Sequence, residues 1–313
     1  MSAPVFNLNG KILPAEKAVV PVLDRSYLYG DSLYEVARTY DGVLTHLKPH
    51  LDRMAVSAEL CRMKLGQSIE EYGREMVRTV EAFHALPGMK DREAYCRIVV
   101  SRGVGRIGFS EKMLQTPTQY AIIVQPLEPP TAVAWEKGQH LRIAERVRNA
   151  PNALDPAMKS GNYLNSLLAY LEETAKGAED ALMVDAQGFL TEGTTFNLFY
   201  VNDGIVCTSP LDVGILDGIT RRNVIEAGRA GGIPFRITRY TPERLFEADE
   251  VFVSSTIKEV LPVTRLDGRT INDGKPGPVA RRLLELFRAC IPAWVEEDRR
   301  WQKSLMGGRS GGA

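Results

Sequence analysis

The sequence is poor in cysteine, and its cysteines do not cluster. Cys61, Cys96, Cys207 and Cys290 form no CxxC pair, and the chain has only 4 histidines. This pattern indicates neither a zinc site nor a disulfide framework. We therefore expect no metal site, and we expect a reducing compartment, the cytoplasm.

The sequence also lacks an excess of charge of either sign. Lys and Arg number 39 and Asp and Glu number 39, so the formal net charge is +0. A neutral chain has no general field that would attract nucleic acid or an anionic membrane. No apolar run approaches the roughly 20 residues of a membrane span, and the N-terminal segment lacks the pattern of a secretory signal. We expect no nucleic-acid partner and no membrane association.

The length and composition are typical of a folded chain with two domains. The 313 residues, of which 44% are hydrophobic and 25% charged, suffice for about two cores. Pro126, Pro129 and Pro130 resist both helix and central strand, and they predict a linker. The predicted parts are a small domain over residues 1–125, a linker over 126–135, a large domain over 136–292 and a C-terminal extension over 293–313 with a flexible tail.

Local patterns predict an α+β fold for the first domain. Asn9-Gly10 is typical of a two-residue hairpin turn. Helical spacing of apolar residues places Pro49 in a first helical turn and Arg53 near that helix N-terminus. The further predicted elements are a helix over 69–83 and strands over 97–101 and 120–124.

The second domain is predicted to contain an antiparallel meander with helices. A helix over 162–173 has apolar residues at helical spacing, and we expect its buried face to begin at Tyr163 and to include the following leucines. These leucines are Leu164, Leu167, Leu168 and Leu171. The other predicted elements are helices over 220–230 and 279–291 and strands over 181–185, 194–201 and 205–208.

A glycine-rich segment spells the dinucleotide-binding pattern GxGxxG over Gly103-Val-Gly105-Arg-Ile-Gly108. That pattern requires a crossover helix of ten or more residues directly after it, but Pro117 arrives nine residues after Gly108. We therefore predict a loop between two strands, with Arg106 near its tip. An NAD(P)-dependent oxidoreductase remains the alternative from a different class of protein, and a noncatalytic binding module is a third.

Four polar motifs of the second domain lie at or near the ends of predicted helices and strands. Lys159 directly precedes a helix, and Glu192 lies in a run of small polar residues between apolar strands. Gly218-Ile219-Thr220 opens a helix, where free N–H groups can hold an anion. Ser254-Ser255-Thr256 ends an apolar strand in three hydroxyl groups.

Taken together, these motifs resemble the class IV aminotransferases, the fold type IV enzymes that use pyridoxal 5′-phosphate. The resemblance spans nearly the whole chain and is nearest to the branched-chain amino acid aminotransferases. It implies a two-domain α+β fold, with a smaller N-terminal α/β domain and a larger C-terminal domain around an antiparallel-rich β core. The motifs are Tyr27–Arg38, His50-Leu-Asp-Arg53, Lys159-Ser-Gly-Asn-Tyr163, Thr191-Glu192-Gly with Asn197, Gly218-Ile-Thr220 and Ser254-Ser-Thr256.

The resemblance implies a role for each matching residue. Lys159 would form the Schiff base with the cofactor and shuttle the proton during catalysis. Glu192 would keep the pyridine nitrogen protonated, and Tyr163 would lie near the phenolic oxygen. The phosphate would be bound by Arg53, Ile219, Thr220, Ser255 and Thr256.

For the substrate, the resemblance implies residues of the first domain. Tyr95 would lie near the α-carboxylate, and Arg97 would bind the distal carboxylate of glutamate or 2-oxoglutarate. Tyr29, Tyr34, Arg38 and Arg106 complete the predicted substrate residues. Val36 and the absence of histidine from Arg106-Ile107-Gly108 mean that neither the branched-chain nor the D-amino acid subgroup is matched cleanly.

We therefore predict a ping-pong transaminase for L-branched-chain amino acids and 2-oxo acids. Because the family completes each pocket with the glycine loop of a neighbouring subunit, a homodimer is implied. A D-amino acid or (R)-amine transaminase remains open, as does an aminodeoxychorismate lyase, which Ser101-Arg102-Gly103 resembles.

Overall fold

The computed structural model describes residues 4–307, which divide into two compact units. Unit 1 comprises the described residues up to Glu128, Met158–Asn162 and the described residues from Ile291; unit 2 comprises Pro129–Ala157 and Tyr163–Cys290. The predicted linker over 126–135 contains the first of these boundaries, but the units differ from the predicted domains at 158–162 and at the C-terminal extension. The domain boundaries stay a prediction. The part of the predicted flexible tail that begins at residue 308 lies outside the described residues.

Unit 1 is built on an antiparallel sheet in the order β2-β1-β6-β5-β3-β4. Its strands are β1 Val5–Leu8, β2 Lys11–Leu13, β3 Ser32–Tyr40, β4 Val43–Thr45, β5 Ala94–Ser101 and β6 Gln119–Pro126, and its helices are α1 Arg25–Tyr29, α2 Leu47–Leu60 and α3 Ile69–His84. The hairpin turn is confirmed, with Asn9 at φ 51° and Gly10 at φ 83°. Helix α3 begins with a capping box between Ser68 and Glu71.

The core of unit 1 lies between the sheet and helices α2 and α3. Helix α3 buries Tyr72, Met76 and Phe83, each at most 1% exposed, because these residues recur on one helical face. Strands β5 and β6 supply their alternate residues, Ile98 and Ile122 among them, to the same cluster. Burial on this face fixes which residues of each strand point away from the core.

Unit 2 contains a nine-stranded mixed sheet in the order β12-β11-β10-β13-β14-β7-β8-β9, with β15 beside β14. Its strands are β7 Gln139–Ile143, β8 Asp180–Val184, β9 Leu190–Gly193, β10 Asn197–Asn202, β11 Ile205–Thr208, β12 Phe235–Ile237, β13 Glu250–Ser255, β14 Glu259–Leu266 and β15 Arg269–Thr270. Its helices are α4 Ala132–Lys137, α5 Leu164–Thr174, α6 Ile219–Ala230 and α7 Glu243–Phe246, and helix α8 spans Pro278–Gly307. The β7–β8, β7–β14 and β11–β12 pairs are parallel, and the others are antiparallel.

Two predicted helix ends were wrong. Helix α2 begins at Leu47, two residues before the predicted start, so Arg53 lies in the second turn rather than near the N-terminus. The helix predicted over 279–291 continues to Gly307 and contains Pro292. It continues because its C-terminal part buries Leu305, 5% exposed, which favours the helix beyond the proline.

The strand predicted over 194–201 was also misplaced. Residues 190–193 form a strand that was not predicted, and β10 begins only at Asn197. The chain turns between these strands, where Gly193 N donates to Phe196 O at 2.8 Å. Glu192 therefore lies within a strand and not in a polar turn.

The predicted buried face of the helix over 162–173 was wrong. Helix α5 buries Ser166, Ala169 and Glu173, whereas Leu164 is 64% exposed and Leu171 52% exposed. The small side chains Ser166 and Ala169 are the ones that let a helix approach a sheet closely. Periodicity identified one face of the helix, but the leucines lie on the opposite side from the core.

Among residues 4–307, no helix is long and apolar enough to cross a membrane. Within the same residues, no group of histidine, cysteine, aspartate and glutamate side chains is arranged to hold a metal ion.

Candidate active site

Lys159 is held by its backbone against strand β3 of unit 1. Its carbonyl accepts a hydrogen bond from Tyr34 N at 3.0 Å, and its N–H donates to Ser57 Oγ at 3.2 Å. Gly161 N donates to Ser32 O at 2.7 Å, and a Cβ at Gly161 would lie 2.2 Å from Ser32 Oγ. Glycine is therefore required for this close approach, which fixes the position from which the lysine side chain extends.

The Lys159 side chain lies over an aromatic ring. Its Nζ is 4.5 Å from the centroid of the Tyr34 ring, and the Arg97 guanidinium is 4.3 Å from the same centroid. Tyr34 is only 4% exposed. Two cations beside one buried ring form an electropositive region at this end of β3.

The predicted substrate residues of β3 and β5 share one face of the sheet. The register pairs Arg38 with Tyr95 and Val36 with Arg97, so their side chains alternate to the same side as Tyr34. Tyr95 and Arg97 are half-buried, whereas Arg38 is buried and lies 4.0 Å over the Tyr40 ring. The structure therefore brings Tyr34, Arg97 and Lys159 together, with Tyr95 on the same face.

Arg53 belongs to a buried charged cluster on the other face of β3. Its Nε donates to Glu35 Oε1 at 2.7 Å and its Nη2 to Glu35 Oε2 at 2.8 Å. His50 Nδ1 lies 2.7 Å from Glu35 Oε2. This two-pronged contact fixes the plane of the guanidinium. Sequence reasoning did not identify Glu35 as a site residue, although it stands next to Tyr34 in the first motif.

Burial shifts the pKa values of Glu35 and His50 in this cluster in opposite directions. Burial alone would raise the pKa of Glu35, which is 0% exposed, but Arg53 and then His50 outweigh it and hold that pKa well below its ordinary value. Burial lowers the pKa of His50 and outweighs the attraction of Glu35. The cluster therefore contains an ionised Glu35 and a neutral His50 at pH 7.

The glycine loop between β5 and β6 is fastened to α1. Gly108 N donates to Tyr29 Oη at 3.0 Å, and Arg25 Nη1 donates to Phe109 O at 3.3 Å. The loop contains a short 3₁₀ turn over Glu111–Met113 and no crossover helix, so the dinucleotide-binding interpretation has no structural basis. Arg106 lies at the exposed part of the loop, as predicted.

In unit 2, Glu192 accepts hydrogen bonds from three separate segments. Arg148 Nη2 donates to its Oε1 at 2.7 Å, while Asn197 Nδ2 and Leu216 N donate to its Oε2 at 3.3 and 3.1 Å. The carboxylate is 5% exposed. Arg148 also donates to Ser166 Oγ at 3.1 Å. A buried carboxylate that is held in a fixed orientation can accept a hydrogen bond from a protonated ring nitrogen. No motif in the sequence pointed to Arg148.

The residues of the predicted anion cradle lie at the start of helix α6. Gly218 is the N-cap and makes no side-chain cap, so Ile219 and Thr220 stand in the turn whose N–H groups have no partner within the helix. A Cβ at Gly218 would lie 1.9 Å from Asn197 Oδ1, so only glycine fits there. Asn197 thus contacts both Glu192 and this helix start.

The three hydroxyl residues end strand β13 beside Asn197. The register pairs Ser254 with Asn197, and Ser254 Oγ is buried without a hydrogen-bond partner among the described residues. Ser255 Oγ accepts a hydrogen bond from Lys258 N at 3.2 Å. Lys258 Nζ lies 3.4 Å from Asp180 Oδ2 and 4.1 Å from the Phe196 ring centroid, so this turn is tied to neighbouring strands. Tyr163 is half-buried at the N-cap of α5.

Comparison with known proteins identifies the class of this fold and then its family. A solved branched-chain amino acid aminotransferase of Escherichia coli superposes with a TM-score of 0.82 at 32% identity and covers 92% of this chain and 94% of that one. The putative branched-chain-amino-acid aminotransferase of Methanocaldococcus jannaschii is 37% identical over 288 residues, which are 92% of this chain and 96% of the relative. The D-alanine aminotransferase of Staphylococcus aureus is 33% identical over 293 residues, which are 91% of this chain and 96% of the relative.

The fold is therefore that of an aminotransferase. The family described as amino-transferase class IV matches residues 32–266, and the chain belongs to this family. The predicted family, the fold class and the assignment as an enzyme are confirmed.

Proposed function

We propose that this enzyme moves the amino group of an L-branched-chain or related amino acid to a 2-oxo acid such as 2-oxoglutarate, by a ping-pong route with pyridoxal 5′-phosphate. The observation that carries the proposal is the fixed Lys159, with its backbone bonded to Tyr34 and Ser57 and its amine over the Tyr34 ring. The names of the relatives favour transamination, and most of those quoted are branched-chain enzymes.

The donor set of the described residues fits this cofactor. Ser254 Oγ is a buried hydroxyl without a hydrogen-bond partner among the described residues, and Gly218 opens helix α6 without a side-chain cap. Hydroxyl and N–H donors at a helix N-terminus suit a phosphate group. Glu192 offers a buried carboxylate to a protonated ring nitrogen.

When bound, pyridoxal phosphate supplies an aldehyde that condenses with amines and a ring that accepts electrons. We assign Lys159 as the amine that holds the cofactor covalently and moves the proton at the substrate Cα. Glu192 keeps the ring nitrogen protonated, and Arg148 and Asn197 orient the Glu192 carboxylate. Tyr163 would donate to the phenolic oxygen. Arg53, Ile219, Thr220, Ser255 and Thr256 bind the phosphate.

For substrate binding, we assign Tyr95 to the α-carboxylate and Arg97 to the distal carboxylate of an acidic partner. Both are half-buried on the sheet face that carries Tyr34, so their polar ends can reach a ligand on that face. Tyr29 holds the glycine loop through Gly108, and Arg106 on that loop would contact substrate. The Arg38 side chain lies on the same face of the sheet and completes the set of assigned substrate residues.

Half-reaction spectra test the substrate class. The holoenzyme is mixed separately with L-leucine, D-alanine, L-glutamate and (R)-1-phenylethylamine, and conversion of the cofactor to its amine form is followed by absorbance. We expect rapid conversion with L-leucine and L-glutamate only. Conversion by D-alanine but not by L-leucine would contradict the proposed substrate, and would favour the activity named for the Staphylococcus aureus relative.

We also propose a cytoplasmic homodimer as the active unit. Unit 1 carries a group of strongly exposed apolar side chains: Val19 at 71%, Val22 at 70%, Tyr27 at 74%, Ile107 at 74% and Phe109 at 80%. Gly105 N donates to Leu23 O at 3.3 Å, so the segment before α1 and the glycine loop adjoin. Large exposed apolar patches mark association surfaces, and a second copy that used this one would bring its glycine loop to the neighbour.

Light scattering during gel filtration tests the dimer. We expect the mass of two chains for the wild type and of one chain for the double variant Ile107→Asp, Phe109→Asp. A wild-type mass of a single chain with full activity would contradict the proposal.

A further inference from the structure

Unit 2 contains a cavity that the proposed reaction does not use. Its volume is about 510 Å³, within the range of small-molecule sites, and it opens beside Tyr200 and Asn202 at the end of β10. The candidate cofactor residue Asn197 stands at the other end of this strand. Asn202 follows Asn197 by five positions of the strand, a distance of about 17 Å at roughly 3.3 Å per residue. The cavity is therefore distinct from the residues assigned to the cofactor.

The floor of the cavity is aromatic and apolar. Tyr200 and Tyr240 pack edge to face, with ring centroids 4.7 Å apart. Phe189, Ile205 and Cys207 extend the same floor. Such a surface favours a flat apolar group, because ring edges and faces add specific contacts to the hydrophobic gain.

The charged side chains at the rim of the cavity sum to a net charge of one positive unit. Three arginines line it, Arg236, Arg239 and Arg244, against the two carboxylates of Asp203 and Glu247. Arg239 pairs with Asp212 at 2.9 Å and Arg244 with Glu247 at 3.0 Å. Within residues 4–307, Arg236 has no ion pair, so its guanidinium can receive a carboxylate.

We propose that this cavity binds a small monocarboxylate with an aromatic body. The carboxylate lies on Arg236, and the ring lies on the floor formed by Tyr200 and Ile205. A dianion is disfavoured because Asp203 and Glu247 also line the rim, and a neutral ligand would forgo the charged contact with the exposed Arg236.

The cavity adjoins the strand that carries Glu192 through backbone contacts. Leu190 N donates to Tyr240 O at 2.8 Å, and Ser209 Oγ donates to Leu190 O at 2.8 Å. Leu190 begins β9, two residues before Glu192. A ligand that restrains Tyr240 therefore slows amide exchange at the start of β9, which gives a local measure of occupancy.

The test is calorimetric titration of the holoenzyme with 3-phenylpropanoate. We expect a Kd of about 1 mM, typical of a ligand of this size. Arg236→Gln weakens binding at least about tenfold, as does replacing the probe by the neutral 3-phenylpropanamide. The matched control Arg229→Gln removes the same charge from an exposed position of α6 outside the cavity and leaves the Kd unchanged.

Two further measurements separate this cavity from the amino acid site. Tyr95→Phe, which removes the hydroxyl assigned to the α-carboxylate in the amino acid site, retains binding, and hydrogen exchange slows in peptides covering residues 189–193 and 236–247. Ile205→Glu, which adds a negative charge to the floor, abolishes binding while the half-reaction rate stays at the wild-type value. Equal affinity of the wild type and Arg236→Gln, or protection confined to peptides covering residues 158–163, would overturn the proposal.

Discussion

Glu35 in unit 1 and Glu192 in unit 2 are both buried and both paired with an arginine, yet their surroundings differ. Both oxygens of Glu35 contact residues of a single helix, Arg53 and His50 of α2. Glu192 instead collects its donors from three segments that are far apart in the sequence. Glu35 therefore holds the Arg53 guanidinium in place, whereas the donors around Glu192 hold the Glu192 carboxylate in place.

Burial and an arginine partner therefore do not by themselves define the role of a carboxylate. In the proposed site Glu35 would act only through Arg53, as a positioning residue. Glu192 is the group that would touch the cofactor. The following predictions separate the chemistry of the two units from the positioning within unit 1.

Removal of the Lys159 amine has the largest expected effect. Lys159→Ala lowers kcat at least about 10⁴-fold, because no other described group is assigned the covalent and proton-transfer roles. Steady-state assays measure this loss, and phosphate contacts still permit weak cofactor binding. Lys48→Ala, at an exposed lysine that pairs with Asp52, serves as the control and keeps wild-type kcat. Unimpaired transamination by Lys159→Ala would remove Lys159 from the mechanism.

Glu192→Gln is expected to have the next largest effect on the reaction. The amide cannot hold a proton on the ring nitrogen, so kcat falls about 10²- to 10³-fold. The absorbance of the bound cofactor shifts as well, which a purely structural role of Glu192 would not cause. An unchanged spectrum together with unchanged kcat would show that Glu192 does not contact the ring.

Glu35→Gln sharpens the comparison, because it should impair stability and cofactor affinity more than kcat. Loss of the Glu35 charge removes the carboxylate that pairs with the half-buried Arg53, which costs about 3 kcal/mol in the free energy of unfolding. The dissociation constant of pyridoxal phosphate, measured by equilibrium dialysis, rises because Arg53 is no longer fixed. A kcat loss as large as that of Glu192→Gln at saturating cofactor would contradict a positioning role.

The pH dependence of stability follows from the lowered pKa of Glu35. A carboxyl group with a folded-state pKa below its unfolded value stabilises the fold above the unfolded pKa, and this stability is lost as the pH falls through the folded pKa. Acid unfolding of the wild type therefore includes protonation of Glu35, and Glu35→Gln flattens the acid limb of the stability profile.

A third buried acid, Asp298 of unit 1, gives the smallest effect on stability, with the opposite dependence on pH. Asp298 accepts hydrogen bonds from His46 N at 2.7 Å and Leu47 N at 3.3 Å, at the start of α2. Burial raises the pKa of Asp298 from 3.8 to about 6. The native state therefore binds more protons than the unfolded chain in this range, and stability falls as the pH rises from about 4 to about 6.

Asp298→Asn tests this assignment by thermal unfolding at several pH values. The variant gives up one of the two accepted hydrogen bonds, worth about 1 kcal/mol, but it escapes the cost that ionisation of Asp298 imposes on the wild type above about pH 6. Its stability no longer falls between about pH 4 and 6. A profile parallel to that of the wild type across this range would contradict the raised pKa.

The proposed site residues stand in short sequence motifs, whereas no motif pointed to the contacts that hold them. Lys159, Glu192 and Gly218-Ile219-Thr220 stand in short motifs, because chemistry requires these residue types at element ends. Arg148 lies far from Glu192 in the sequence, and only the tertiary structure brings them together. Sequence periodicity likewise could not determine which side of α5 faces the core, because small residues, and not the leucines, pack there.

The fold was predicted where local signals dominate. The Asn9-Gly10 turn and helix α3 have their own turn and capping residues, so their positions follow from short-range physics. The end of α8 does not follow from local signals, because burial of Leu305 outweighs the local tendency of Pro292 to end a helix. Non-local packing decided the elements that were predicted wrongly.

The most direct measurement is reduction of the holoenzyme with borohydride followed by tryptic digestion and mass spectrometry. Because a modified lysine resists trypsin, we predict a phosphopyridoxyl adduct on Lys159 within the uncleaved peptide of residues 149–176, between Arg148 and Lys176. The half-buried Lys258 is the competing lysine of unit 2. An adduct on the peptide of residues 245–265, or no adduct at all, would contradict the account.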